Sequence, residues 1–478
     1  MKKISRRTLF AAGAGWLAFS NLLPFGNKRK VEALEYKPPA DYPISRERLE
    51  VEEMYRKASK ARLVKVCDNV YSAIGFAFAN IILVMTPGGV VVIDTTESLS
   101  AAREVMEELK KITALPVKAV IYTHNHADHW LGTKAFFTPG VRIIAHEDFA
   151  KEVKLQNSRE ESGRIRAAAM YGLLLPEPMR VPWLTAYPWP VAVNLRWEGV
   201  KPEDMVWPTE TFKDRNSFEV GGITFRLLHA PGETPDQIIV HIPQYQVVCP
   251  ADNFYACFPN LYTIRSTSSR PVLSWAAAQD TVMELGPEYL VPSHGAPLEG
   301  KETIKEVLTN YRDAILHVHK LALEGVQKFK PLDEIVAQAS LPPHLANLPY
   351  LKEYYGFIPF CVRSIYQSYV GWFDGDPVNL QPLSRKEIGA ALLKLAGSAE
   401  KVLEYAAAAQ KENRHPVVLE LCEMVLADDP RNRMARMMKL SSLTALGKST
   451  ANSPMANYYT AFAAMEKMKI DKKGEEPQ

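Results

Sequence analysis

The sequence predicts a mixed α/β domain followed by an all-α domain. Between residues 63 and 328, short β-branched and apolar runs alternate with segments of helical periodicity, the pattern of a mixed sheet covered by helices. From 329 to 470, Ala- and Leu-rich segments are joined by short polar turns, which reads as consecutive helical hairpins. A chain of 478 residues is also too long for one ordinary domain.

The elements follow in order. Val70–Ile74 and Ala79–Val84 are strands, Pro87-Gly88-Gly89 is a turn, and Val90–Asp94 is a third strand. Ser98–Thr113 is helical, with apolar Val105, Met106, Leu109 and Ile112 at helical spacing. Lys118–Thr123 is a buried strand, Leu131–Phe137 begins a helix, and Arg142–Ala145 is another strand. Between Leu155 and Phe212 the pattern breaks. Arg164–Gly172 reads as one short helix, and a stretch rich in Pro and Trp follows, including Trp183, Trp189, Trp197 and Trp207. That stretch suits either an apolar lid over a site or a loop pinned to the core by its aromatic rings. Ile223–Leu228 resumes the strands. Gln237–Ile242 and Gln246–Cys249 form a hairpin, Ser274–Leu285 a helix, and Tyr289–Gly295 closes the domain before a long helix over Glu302–Gln327.

In the second domain the expected helices are Ser384–Gln410, Pro416–Leu426, Asn432–Leu446 and Ala456–Lys469. They loosely resemble a tetratricopeptide array and suit packing or oligomerisation. The charged tail, 471–478, is expected to be disordered.

Residues 1–33 read as a targeting segment. Arg6 and Arg7 precede an apolar stretch from Leu9 to Leu23 that is short and interrupted by Gly13, Gly15 and Ser20. Ser5-Arg6-Arg7-Thr8-Leu9-Phe10 resembles the bacterial twin-arginine export signal, which implies a periplasmic or secreted chain; an ordinary secretory signal or an uncleaved anchor is the alternative. Residues 34–62 are a Pro-containing arm that ends in a charged helix, Ser45–Lys60.

Composition excludes several classes. A net charge of +3 without a long basic run argues against nucleic acid. None of the five cysteines forms a Cys-x-x-Cys pair, which argues against cysteine-based metal or redox chemistry. Cys249 and Cys257 are the pair a disulfide would join in an oxidising compartment.

The chemistry concentrates in His124-Asn125-His126-Ala127-Asp128-His129, where the buried strand ends. Three of the eleven histidines stand there with one carboxylate between them. Imidazole and carboxylate are the donors of open, catalytic zinc sites. The spacing can serve two metals, His124 and His126 holding one, Asp128 and His129 the other.

This hexapeptide is the signature of the metallo-β-lactamase superfamily, which the chain resembles. The resemblance implies an αββα sandwich and a third ligand after a Pro-Gly turn. Glu233, in Pro231-Gly232-Glu233-Thr234, is assigned to the His124/His126 metal, although His229 lies four residues before it and is read as a core or supporting histidine. Asp252 is the candidate bridge between the metals, and His294 completes the Asp128/His129 metal. His146 is a candidate to orient a ligand. His241, His317, His319, His344 and His415 are assigned to surface or packing. Two zinc ions would ionise a bridging water near neutral pH, with Asp128 and Asp252 positioning the resulting hydroxide; iron occurs in other members of the superfamily.

Glu233 as third ligand, Asn260-Leu261-Tyr262-Thr263-Ile264-Arg265, and Gly371-Trp372-Phe373-Asp374-Gly375-Asp376-Pro377 together resemble the linear alkylsulfatases. That resemblance implies cleavage of alkyl sulfate esters, with Asn260 and Arg265 holding the sulfate, and homodimerisation through the helical domain. This sequence has Ala251-Asp252-Asn253 where the family commonly has Glu-Asn, and it stops before the sterol-carrier-like domain that many members carry. The alternatives are a phosphoesterase, a lactone or amide hydrolase on the same scaffold, or a non-catalytic periplasmic anion-binding protein.

Overall fold

The central strands of the sheets are buried on both faces, and exposed positions recur along the edge strands. The computed structural model describes residues 42–58, 60–267 and 269–471; residues 1–33, read above as a targeting segment, most of the arm before the charged helix and the tail beyond Asp471 lie outside them. The strands are β1 (Arg62–Cys67), β2 (Val70–Ile74), β3 (Ile81–Thr86), β4 (Gly89–Ile93), β5 (Val117–Ile121), β6 (Arg142–His146), β7 (Trp183–Thr185), β8 (Val191–Val193), β9 (Glu210–Phe212), β10 (Arg215–Val220), β11 (Ile223–His229), β12 (Ile238–Ile242), β13 (Val247–Cys249), β14 (Tyr289–Leu290) and β15 (Leu298–Glu299). One seven-stranded sheet runs β1-β2-β3-β4-β5-β6-β9 and one six-stranded sheet runs β10 through β15. The first is antiparallel from β1 to β4 and parallel from β4 to β9.

The helices are α1 (Arg46–Lys57), α2 (Leu99–Ile112), α3 (Phe149–Met170), α4 (Val272–Leu285), α5 (Lys301–Gln327), α6 (Leu332–Ala337), α7 (Pro343–Ala346), α8 (Ile358–Val370), α9 (Arg385–Ala396), α10 (Ala399–Lys411), α11 (His415–Asp428), α12 (Arg433–Ser449) and α13 (Ser453–Asp471). One compact unit holds Glu53–Arg164 and Pro182–Tyr369; a second holds 42–52, Ile165–Val181 and 370–471 among the described residues.

Within the first unit the two sheets face each other. Ile82, Val91, Ile93, Ile121 and Ile144 meet Phe225, Leu227, Val240, Ile242 and Val247, all fully buried. Each such side chain contributes roughly 1.5–3 kcal/mol on burial. The other face of the first sheet, through Leu83, Val92, Val120 and Ile143, is covered by Ala101, Ala102, Val105 and Leu109 of α2. Ser98 caps α2 by accepting from the Ala101 N–H. α5 packs on α4, β14 and β15, so helices cover the second sheet as well.

In the second unit, Val402, Ala406, Val418, Cys422, Val425 and Met438 form one core. The expected helix Ser384–Gln410 is two helices, α9 and α10. Gly397, at φ +89°, ends the first and Ser398 caps the second.

Three further expectations are corrected. Leu131–Phe137 forms only a short 3₁₀ turn at Thr133–Ala135, because the Gly132 N–H bonds the Thr96 carbonyl instead of continuing a helix. The short helix expected at Arg164–Gly172 is the end of the 22-residue α3, whose polar middle hides its period. The charged helix ends at Lys57 instead of Lys60. Edge strands β1 and β10 escaped the reading because Arg62, Lys65, Arg215 and Glu219 give them the charged look of exposed edges. All five cysteines are free thiols, and burial raises the Cys249, Cys257, Cys361 and Cys422 thiols above the usual range. Among the described residues no helix is long and apolar enough to cross a membrane.

Candidate metal centre

The loop after β5 begins at Thr123, and Asp94 fixes it there. The Asp94 carboxylate accepts from the Thr123 N–H and hydroxyl, both at 2.9 Å, and from the Ser293 hydroxyl at 2.8 Å. The Trp130 indole N–H donates to the Asn125 carbonyl at 3.2 Å, which closes the loop from the other end. His124, Asn125, His126 and His129 are consequently buried.

The histidines fall into two groups. His124, His126 and Asp252 form one, and Asp128, His129 and His294 the other; the candidate ligand atoms of each lie within 4.8 Å of one another. His124 Nε2 faces His126 Nδ1 at 3.0 Å. Asp252 Oδ2 stands 3.7 Å from His124 Nε2, 3.4 Å from His129 Nε2 and 3.3 Å from His294 Nε2, between the two groups. Asp128 Oδ2 lies 3.4 Å from His129 Nε2 and 3.3 Å from His294 Nε2.

Neighbouring groups orient the rings. His129 Nδ1 donates to Asp94 Oδ2 at 2.7 Å and His294 Nδ1 to the Phe78 carbonyl at 2.9 Å, so both present Nε2 to the centre. Glu97 in turn accepts from the Phe78 N–H and from the Arg196 N–H.

Charge divides the same way. Burial, and then neighbouring imidazoles, hold His124 below the usual range; burial, His124 and Arg265 do the same to His126. Burial also disfavours charge on His129 and His294, but the surrounding carboxylates outweigh it, and His294 rises to about 10. Burial opposes ionisation of Asp128 and Asp252 too, yet His129 and His294 hold both carboxyls well below the usual range.

Glu233, assigned by sequence to the His124/His126 metal, is placed beside this centre next to Asp252, but the group gathered at His124 and His126 is completed by Asp252. Glu233 Oε1 accepts from Arg270 Nη1 at 2.5 Å. Burial pushes its carboxyl up to about 7, against the pull of Arg270 and with the charge of Asp252 adding. Arg265 Nη2 lies 3.2 Å from His126 Nε2. Asn260 is buried, its N–H donating to the Tyr255 hydroxyl at 2.8 Å. His146 accepts from the Asp148 N–H and stacks on His229 at 4.0 Å, so it orients no ring of the centre. His229 Nε2 donates to the Pro235 carbonyl at 2.7 Å. The Trp-rich stretch packs onto the core: Trp183 meets Phe78 edge-on at 5.4 Å, and Phe78 meets His294 at 5.5 Å. Tyr355 joins Trp183 to Tyr255, completing an aromatic wall beside His294.

These donors fit a cation. Glu233 Oε2 and Asp252 Oδ1 are buried and accept no hydrogen bond among the described residues. Two adjacent buried carboxylates with unsatisfied oxygens, next to imidazole nitrogens facing one another, are stabilised by a bound positive charge.

Sequence reading missed Asp94, Ser293, Glu97 and Arg270. Asp94 carried a usable signal: it is a carboxylate ending an apolar strand, as Asp252 nearly is. Arg270 lies in a loop with no pattern around it.

Residues 74–294 match the model of the metallo-β-lactamase superfamily, and residues 331–468 match that of the alkyl sulfatase dimerisation family. The chain is 35% identical over 395 residues to a linear primary-alkylsulfatase of Pseudomonas sp. strain ATCC 19151, covering 80% of this chain and 73% of that one. It is 27% identical to an (R)-specific secondary-alkylsulfatase of Pseudomonas sp., covering 84% of this chain and 62% of that one. Among solved structures, a double mutant of the sec-alkyl sulfatase PisA1 superposes with a TM-score of 0.78 at 25% identity, over 97% of this chain and 78% of that one. The chain belongs to the alkylsulfatase family of the metallo-β-lactamase superfamily.

Proposed function

We propose that the protein hydrolyses sulfate esters of alkyl alcohols at a two-zinc centre. The observation that carries the reading is Asp252 Oδ2, within 3.7 Å of imidazole nitrogens from both groups and so suited to bridge two ions. Nitrogen and oxygen donors without a thiolate suit zinc, with iron the second choice. His124, His126, Glu233 and Asp252 would hold one ion; Asp128, His129, His294 and Asp252 the other. Bound there, the metal supplies Lewis acidity and lowers the pKa of water.

The chain's own residues do the rest. The Arg265 guanidinium, permanently charged and planar, matches a sulfate oxyanion, and Asn260 stands five residues before it on the same loop. Asp128 and Asp252 orient the attacking water. The wall of Phe78, Trp183, Tyr255 and Tyr355 gives the alkyl part an apolar surface. The match over 331–468 supports a second copy of this chain as partner, and Arg6-Arg7 before an apolar stretch supports export to the periplasm or beyond.

The test is sulfate release from dodecyl sulfate, with metal content measured by elemental analysis on the same sample. Turnover with about two zinc ions per chain, lost in His124→Ala, is the expected result. Two bound ions without sulfate release would discard the substrate and point to phosphate esters or lactones. No bound metal after reconstitution, together with no activity, would discard the whole reading.

A further inference from the structure

We propose that Arg270 is a positioning residue that ties the Glu233 carboxylate to the Asn260–Arg265 loop, so that the metal-facing acid and the anion-binding arm are set as one unit. This rests on the proposed roles of Glu233 and of Asn260 and Arg265. A single atom makes the tie: Arg270 Nη1 donates to Glu233 Oε1 at 2.5 Å and to the Asn260 carbonyl at 2.6 Å. All three residues are nearly sealed from solvent, at 4%, 4% and 3% exposure for Arg270, Glu233 and Asn260.

Geometry makes the link directional. With Oε1 engaged, Glu233 is left with Oε2, which accepts no hydrogen bond among the described residues, as its atom for a metal. With the Asn260 carbonyl engaged by Arg270 and its N–H by Tyr255, that residue is held on both sides. The guanidinium lies over the Trp275 ring, 5.8 Å from its centroid. The Trp275 indole N–H donates to the Asn253 carbonyl at 2.9 Å, next to Asp252. One planar cation therefore touches the Glu233 turn, the Asn260 loop and the helix that braces Asp252. A buried ion pair seldom repays its desolvation in stability, and here its geometry accounts for the Arg. Lysine would keep the charge, but its side chain is one atom shorter than the path to Nη1 and has no planar face to lie over the Trp275 ring, so its ammonium would not reach both acceptors from the same seat.

The test compares Arg270→Lys with Tyr255→Phe, which loosens Asn260 from its other side without touching Glu233. Three quantities are read: melting temperature, inorganic sulfate affinity by calorimetry, and zinc retention against graded chelator. Arg270→Lys is expected to melt close to wild type, to bind sulfate at least about tenfold more weakly, and to lose zinc at about tenfold lower chelator. Tyr255→Phe is expected to weaken sulfate alone. Wild-type sulfate affinity or wild-type zinc retention in Arg270→Lys would overturn the link. Zinc loss of equal size in Tyr255→Phe would overturn it too, as general loosening. A wild-type protein that binds zinc and sulfate yet cleaves no alkyl sulfate loses its proposed substrate while the link remains readable. One that binds neither overturns both.

Discussion

Asp94 Oδ2 and His129 Nδ1 are 2.7 Å apart in a fully buried pair, and the same carboxylate holds the first residue of the histidine loop and Ser293 beside His294. One side chain thus aligns both ends of the Asp128/His129/His294 group. Asp94→Ala leaves His129 Nδ1, Thr123 and Ser293 without their acceptor. Activity should fall by roughly 10–100-fold and zinc should dissociate at lower chelator. Asp94→Asn retains an acceptor for Thr123, so it should lose less stability than the Ala variant while still losing activity. Unchanged kinetics in both variants would remove Asp94 from the site.

Arg265→Ala tests the anion-binding arm. A charge-assisted hydrogen bond is worth about 1.5–3 kcal/mol, roughly a 10- to 150-fold change. The KM for a sulfate ester should rise by that factor, and the KM for an uncharged ester should hardly move. Equal effects on the two substrates would show that Arg265 supports the loop and not the substrate.

Gly232→Ala tests the turn that presents Glu233. A Cβ there would stand 1.9 Å from Asn253 Oδ1 and 3.1 Å from the Trp275 ring. Asn253 cannot swing away, because its Nδ2 donates to the Ala230 carbonyl at 2.9 Å. The variant should lose about 1–3 kcal/mol of stability, read by denaturant unfolding, together with most of its activity. A fully active, equally stable protein would contradict the packing described.

Asp236 should give stability a pH dependence. Burial raises its carboxyl to about 7, with the charges of Glu152 and Asp148 adding, and neither carboxyl oxygen has a hydrogen-bond partner among the described residues. A folded-state pKa above the unfolded one contributes stability that is full below about 4 and is lost as pH rises through about 7. From 3.8 to about 7 the contribution is on the order of 4 kcal/mol. Asp236→Asn should flatten the fall in melting temperature between pH 5 and pH 8 and melt higher than wild type at pH 8. Parallel curves for the two proteins would refute the assignment.

Central strands were legible because they are largely apolar on both faces: Ile81–Met85 and Gly89–Ile93 are continuous hydrophobic runs, and Ile238–Ile242 is one interrupted only by His241. Edge strands β1 and β10 were not, since their exposed faces carry the charges of a loop. The histidine hexapeptide declared itself through local density. Asp94 and Arg270 did not, because their meaning lies in what a distant segment brings to them: His129 is 35 residues from Asp94, and Glu233 is 37 from Arg270. The missing helix after the hexapeptide has the same origin, a backbone bond from Gly132 to Thr96 that no local propensity encodes.

The free cysteines make the molecule its own unfolding clock. Cys249, Cys257, Cys361 and Cys422 are sealed inside, and Cys67 is partly exposed. A colourless thiol reagent that turns yellow on reaction should label Cys67 first and the other four only when the chain opens. Its slow phase would then report the global opening rate under native conditions, in either a reducing or an oxidising history of the sample, since no crosslink in the fold depends on that history.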